Sequence, residues 1–412
     1  MNGLWRRISE RFWALPLLCA LSALGLGVGL GRLDDALDTS FTLPFLFGGG
    51  PEGARALLSA IITSMISFTG LVFSITIVVL QLTSSQFSPR VLRTFLRDRF
   101  NQLALGVFVA TFVYALVVLR AVRGTAQVDP FVPQLAVTVA FLFVLVSVGV
   151  FLGYINHIAE SIRAATIIAR IGKDTRGLLE RRYPPDSANA ARRLLPEGPV
   201  HEVPAGEPGV VQRVDDEALT RIAEERDLTI CVLRAVGEFV PAGASLLEVH
   251  GKDPGDTERL SCAIELGNER TLDQDVGFGF RQLVDIAERA LSPGVNDPST
   301  AVQVIDQLHD LLRRLATRPL PPRQSFTDDG RLAVDVPGPS FGDYLGLAID
   351  EIDRWGADAE RVQHRIDAML VDLDHVAHPE QRPVIVRALV GRDRHPPSLP
   401  SDGPPRSDTY LR

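Results

Sequence analysis

The stretch ALLSAIITSMISFTGLVFSITIVVLQLTSSQFSP, residues Ala56–Pro89, carries no charged side chain over 34 consecutive positions. A helix needs ~20 apolar residues to cross a hydrocarbon core of ~30 Å. Thirty-four residues of α-helix extend ~50 Å, so this one must tilt strongly or project beyond the bilayer. Three further uncharged runs lie on either side of it: Phe12–Gly31, Asn101–Leu119 and Phe131–Ala159. The sequence therefore predicts four transmembrane helices within residues 1–160. The first run follows Arg6, Arg7 and Arg11, as a signal peptide would. It is longer than a usual signal core and no Ala-x-Ala site follows, so a retained anchor is expected.

Positive charge sets the expected orientation. Arg6, Arg7, Arg11, then Arg90, Arg93, Arg97, Arg99, then Arg163, Arg170, Lys173 and Arg176 fall on one side of the four spans. Only Arg32, Arg55, Arg120 and Arg123 fall on the other. Both termini are expected in the cytoplasm.

The long second helix bears a polar stripe of Ser59, Thr63, Ser67, Gly70, Ser74, Gln81 and Ser85, spaced by three, four and seven so that they share one face. Two readings fit. Small and hydroxyl residues are ordinary helix-packing material, and the same holds for the GxxxG pair Gly27 and Gly31. Alternatively, the stripe is the water-facing wall of an oligomeric pore. Arg90, Arg93 and Arg97 would then line a vestibule favouring anions, although such arginines also serve as headgroup anchors. No Asp, Glu, Lys or Arg falls within any of the four runs, which argues against an ion-coupled carrier.

The remaining chain reads as a cytoplasmic α+β domain. Glu160–Arg182 continues the fourth helix as an amphipathic helix and, with a Pro-rich linker, fills residues 161–199. Residues 200–268 suggest a small β-rich module, with strands at Gly209–Val214, Leu228–Val236 and Ser245–Val249 and a helix at Asp216–Arg226. The turn from Gly237 to Gly243 resembles the half-motif of barrel-sandwich domains such as lipoyl and biotinyl carriers. It lacks their carrier lysine, so no prosthetic group or other cofactor is expected. Residues 269–395 read as helical, with Arg318–Ser340 as a loop, and 396–412 as a disordered tail.

The most distinctive polar stretch runs from Glu269 to Ala301. Phe280, Leu283, Val284, Ala287 and Leu291 form an apolar helix face. Arg281, Asp285 and Arg289 form a charge ladder. Asp297-Pro298 reads as an N-cap followed by proline in the first helical turn. Asp273, Asp275, Arg281, Asp285, Arg289, Asn296 and Asp297 are the candidate ligand- or ion-binding residues, set against a plain salt-bridged helical hairpin. Their spacing matches no defined metal motif. His375 and His378 beside Asp372 and Asp374 have the spacing of a zinc pair, but Pro379 marks a helix end, where histidine is common for other reasons.

The 412-residue chain has a net charge of −8 and three cysteines, Cys19, Cys231 and Cys262, none in a CxxC pair. This gives no sign of a nucleic-acid partner, a disulfide framework or a thiolate metal site. Nucleotide-binding and hydrolase motifs are missing from the sequence, so an enzyme is not expected.

Three runs, Ser67–Ser74, Gln81–Arg90 and Arg289–Pro298, resemble the bacterial family of predicted membrane proteins called domain of unknown function 2254, over nearly the whole chain. The resemblance implies an inner-membrane protein and brings no catalytic residues with it. The expectation is a homo-oligomeric pore gated by its cytoplasmic domain. The alternative is a membrane-anchored signalling or scaffold protein with a ligand-sensing domain, and a membrane-tethered enzyme ranks last. The lipid bilayer is the one partner the sequence names directly.

Overall fold

The computed structural model describes residues 13–36, 46–86, 98–125, 128–185, 194, 196, 198–251, 255 and 257–392. The chain divides into two compact units, up to Ile167 and from Ile168 onward.

Among the described residues the first unit holds four helices long and apolar enough to cross a membrane: α1 (Ala14–Ala36), α2 (Pro51–Gln86), α3 (Arg99–Ala121) and α4 (Gln134–Ser161). A short hairpin, β1 (Arg123–Thr125) and β2 (Val128–Phe131), joins α3 to α4. Helix α2 starts five residues before its uncharged run and includes Glu52 and Arg55. Its 36 residues extend ~54 Å. Gly27 permits α1 to approach α3, since a Cβ there would lie 3.0 Å from Val117 Cγ1, and Gly31 faces Ala121. The GxxxG pair is thus packing material within this chain.

Several polar groups between these helices are bonded to each other, as an apolar environment favours, whereas the buried side-chain amide of Asn101 has no hydrogen-bond partner among the described residues. Thr76 and Tyr154 share a hydrogen bond of 2.9 Å, as do Thr111 and Ser147. Asp34 at the end of α1 accepts from the backbone amides of Leu135 and Ala136, and so caps the start of α4. Asp98 caps α3 and meets His157 of α4 at 2.9 Å. Outward-facing residues are large and apolar, with Leu17, Leu142, Leu145 and Leu152 all more than half exposed. A bundle with such a surface needs lipid around it.

The expected continuous helix through Glu160–Arg182 is broken at Ile162 and Arg163. A separate helix, α5 (Ala164–Arg182), follows. From Ile168 onward α5 belongs to the second unit, where its neighbours fix it tightly. At Gly172 a Cβ would collide with Gln307, and at Gly279 one would lie 2.0 Å from Thr175 Oγ1. Arg176 pairs with Asp310, and Glu180 with Arg314 and Arg318.

The second unit mixes sheets and helices. Its strands are β3 (Val200–Pro204), β4 (Gly209–Val214), β5 (Leu228–Val232), β6 (Phe239–Val240), β7 (Ser245–Gly251), β8 (Ile264–Gly267), β9 (Arg323–Phe326) and β10 (Leu332–Val336). One sheet has the order β3-β7-β5-β10-β9, with β5 and β10 parallel and the other pairs antiparallel. A second sheet has the order β6-β4-β8. The helices are α6 (Asp216–Arg226), the short α7 (Thr257–Ser261), α8 (Val276–Leu291), α9 (Pro298–Ala316), α10 (Phe341–Trp355), α11 (Glu360–Val376) and α12 (Arg382–Gly391). The span expected as a loop, Arg318–Ser340, supplies β9 and β10. The sheet of the β-rich module is completed by residues far beyond its expected end at 268.

The expected cap of α9 is present. Asp297 accepts from the amides of Ser299 and Thr300 and from the Thr300 hydroxyl, with Pro298 in the first turn. These bonds hold its carboxyl below the usual range, the Thr300 hydroxyl contributing most. Asp297→Ala is expected to cost ~1–2 kcal/mol, readable as a lower midpoint in denaturant titration. An unchanged midpoint would mean that the cap contributes nothing.

Acid should also loosen this unit. The hydrogen bond from Arg318, with help from Arg314, holds the Glu180 carboxyl below its ordinary 4.5. A carboxylate depressed in the folded state contributes stability above its unfolded value and loses it as pH falls through the folded one. Glu288 works in the opposite sense, because burial and the neighbouring Glu351 raise it. Glu180→Gln should therefore flatten the loss of stability between about pH 5 and pH 3. A stability–pH curve identical to that of the unaltered protein would show that the bridge carries no such linkage.

Candidate functional site

The acidic residues around α8 do not meet. Sixteen residues of helix separate the start of α8 from its end by ~24 Å. Asp273 and Asp275 lie at the first end, and Asn296 and Asp297 beyond the second. Asp273 and Asn296 are exposed, Asn296 in the left-handed conformation with φ 50°. Asp285 is bonded to Arg281 at 2.7 Å, and Arg281 also reaches Glu288 and Glu351. Arg289 is exposed. These seven residues thus form an N-cap at each helix, a side-chain ion-pair cluster and exposed positions, and no single site. Among the described residues no group of His, Cys, Asp and Glu is placed to hold a metal ion. His375 Nδ1 contacts the Val371 carbonyl, and His378 lies 4.0 Å from Glu380.

Asp275 is the exception, because it opens onto a cavity of about 430 Å3. Six segments of the second unit build it. The end of α5 brings Arg182 and Tyr183, the turn after β5 brings Ala235–Glu238, and the approach to α8 brings Arg270, Gln274 and Asp275. Arg323 of β9, the Pro337-Gly338-Pro339 loop after β10 and Tyr344 and Leu347 of α10 close it.

Each wall has a local cause. Asp275 caps α8, accepting from Phe278 N at 2.9 Å, and Arg270 grips its two oxygens at 2.8 and 3.1 Å. Burial pushes the Asp275 carboxyl above its usual range, against the pull of Arg270. Gly237 packs on that pair with φ +95°, where a Cβ would lie 2.2 Å from Asp275 Oδ2. Only glycine suits both the conformation and the space. Gln274 bonds both the N–H and the carbonyl of Val214, which ties this segment to β4. Arg323 holds Asp216 with two bonds, of 2.7 and 2.8 Å. Tyr183 and Tyr344 meet edge to face, their hydroxyls 3.2 Å apart, and burial pushes the Tyr344 phenol well up.

In the first unit, Ser59, Thr63, Ser67, Gly70, Ser74 and Gln81 of α2 are all exposed in the chain taken singly. Thr63 and Ser67 bond back to the carbonyls of Ser59 and Thr63. The stripe is therefore not packed against α1, α3 or α4. Ser85 falls within the bounds of α2. Arg90, Arg93 and Arg97 lie outside the described residues, as does the tail 396–412.

Sequence reading missed all of the cavity except Asp275. Two local signals pointed to it: a glycine in a strand-to-strand turn, and an arginine five residues before an N-cap aspartate.

A family model described as "Predicted membrane protein (DUF2254)" matches residues 9–372. The uncharacterized protein Rv1290c of Mycobacterium tuberculosis is 36% identical over 355 residues, covering 84% of this chain and 68% of its own. The uncharacterized protein Mb1321c of Mycobacterium bovis matches with the same identity and coverage. No solved structure matches.

Proposed function

Given that the chain belongs to the family of predicted membrane proteins called domain of unknown function 2254, we propose that it is a bacterial inner-membrane receptor. Its second unit, on the cytoplasmic side with both termini, binds a small ligand and reports occupancy to the membrane helices. One observation carries this reading. Arg182 and Tyr183, which line the cavity, end the helix that begins only two residues after the fourth membrane helix. The glycine contacts and ion pairs of α5 make it move with the domain rather than slide through it. A change at the cavity is then felt at the α4–α5 junction.

Hydrogen exchange on the full-length protein in nanodiscs tests this. A pooled extract of bacterial small metabolites should slow exchange at residues 162–170, and Leu347→Trp, which fills the cavity, should abolish the response. Stabilisation of the domain with no change at the junction would leave a binding protein and remove the receptor.

A second reading, an oligomeric pore walled by α2, is favoured by the outward-facing stripe. A polar face is costly against lipid, and a second copy or a water-filled lumen would cover it. Liposome flux distinguishes the two. The pore reading expects selective flux that Ser74→Leu and Gln81→Leu suppress, and robust flux unaffected by either would remove α2 as its wall.

A further inference from the structure

The cations of the cavity are unequally satisfied. Arg270 is neutralised by Asp275, and Arg323 by Asp216. Arg182 is half-buried with its guanidinium 5.9 Å from the Tyr183 ring centre, and among the described residues it has neither a hydrogen bond nor an ion pair. The carboxylates nearby are occupied. Asp216 is held twice by Arg323, Glu238 accepts from the Ala235 amide, and Asp343 accepts from the Ser340 amide and hydroxyl. Burial, and then the like charge of Arg323, pull the Arg182 guanidinium below its ordinary proton affinity. An anion beside Arg182 would relieve both.

The rest of the lining is suited to an organic body. Val236, Pro337, Pro339 and Leu347 are apolar, and Tyr183 and Tyr344 also line the cavity. About 430 Å3 lies within the range of small-molecule sites, roughly 300–1,000 Å3. An inorganic ion would leave most of that volume unfilled.

We propose that the cavity binds a small organic anion, with a singly charged phosphodiester or carboxylate group on Arg182 and an apolar or planar body against Tyr183, Tyr344 and Leu347. The proposal deepens the receptor reading and rests on it. Such a group comes either from a free metabolite or from a lipid headgroup.

Phenylglyoxal, which modifies accessible unpaired guanidinium groups, tests it on the full-length protein in detergent, with adduct sites mapped by mass spectrometry. Arg182 should react faster than Arg270 and Arg323. The probes are cyclic AMP, phenylacetate and dihexanoyl-phosphatidylglycerol, with adenosine and inorganic phosphate as controls. An organic anion at ten times its Kd should slow Arg182 modification about tenfold and raise the melting temperature of the unaltered protein but not of Arg182→Gln. Protection by cyclic AMP or phenylacetate identifies a free metabolite, and protection by the phospholipid alone identifies a headgroup. No protection by any organic anion, or equal protection by adenosine, would overturn the proposal. An anion that protects Arg182 yet leaves exchange at residues 162–170 unchanged keeps the site and sinks the receptor. Adenosine that alters this exchange without protecting Arg182 does the reverse.

Discussion

Gly279→Ala should lower the stability of the full-length protein by ~3 kcal/mol, the upper end of the usual overpacking range. A Cβ at this position would lie 2.0 Å from Thr175 Oγ1, 2.6 Å from its Cγ2 and 2.8 Å from its Cβ. Thr175 cannot swing clear. It is fully buried, and its hydroxyl is bonded to the Ile171 carbonyl at 2.7 Å. The two helices must separate, and in a domain of this size ~3 kcal/mol lowers the melting temperature by roughly 6–12 °C. The pair Gly279→Ala with Thr175→Gly moves the small residue to the other helix. Its helix-propensity terms nearly cancel, so it should recover most of the loss. A single variant as stable as the parent would mean that α5 and α8 do not pack at this point. The basis for α5 as a rigid link would then be gone.

The membrane helices were legible because lipid imposes a simple demand. Ala56–Pro89 reads as a span, and its helix begins earlier, at Pro51, with Glu52 and Arg55 in the added turn, while residues 87–89 lie outside the described residues. Helix α9 is legible through its cap, Asp297, which accepts amides in the first turn, while the expected helix at Asp216–Arg226 is present as α6 with Asp215 as its cap. β10 was not legible. Leu332–Val336 is buried at every position, so it lacks the alternation that marks a half-buried strand. Its parallel partner β5 lies about a hundred residues earlier. The cavity was hidden for the same reason, since its walls run from position 182 to 347. Around α8 the structure shows the salt-bridged helical hairpin with a capped second helix, not a gathered ligand set. Closeness in sequence does not make closeness in space here, since a helix of 16 residues holds Asp273 and Asp275 apart from Asn296 and Asp297.

Arg318→Met should cost ~2–4 kcal/mol, because it removes a buried cation from two partners that remain. Arg318 is only 8% exposed. It reaches the Glu180 oxygens at 2.9 and 3.0 Å and also donates to the Tyr183 carbonyl. Glu180 keeps Arg314 at 2.7 Å and is about a third exposed, so water moderates its share of the loss. The Tyr183 carbonyl has no such relief. Lysine should recover little, since a single ammonium cannot reproduce the fork that holds the carboxylate. The consequence extends to the cavity, because Tyr183 carries the hydroxyl paired with Tyr344 and follows Arg182 directly. Under the anion-site proposal, Arg318→Met should weaken protection of Arg182 by organic anions even below the melting temperature, while Asp297→Ala, at the far end of α9, should not. Equal protection in both variants would separate the α5–α9 ion pairs from the cavity and confine their role to stability.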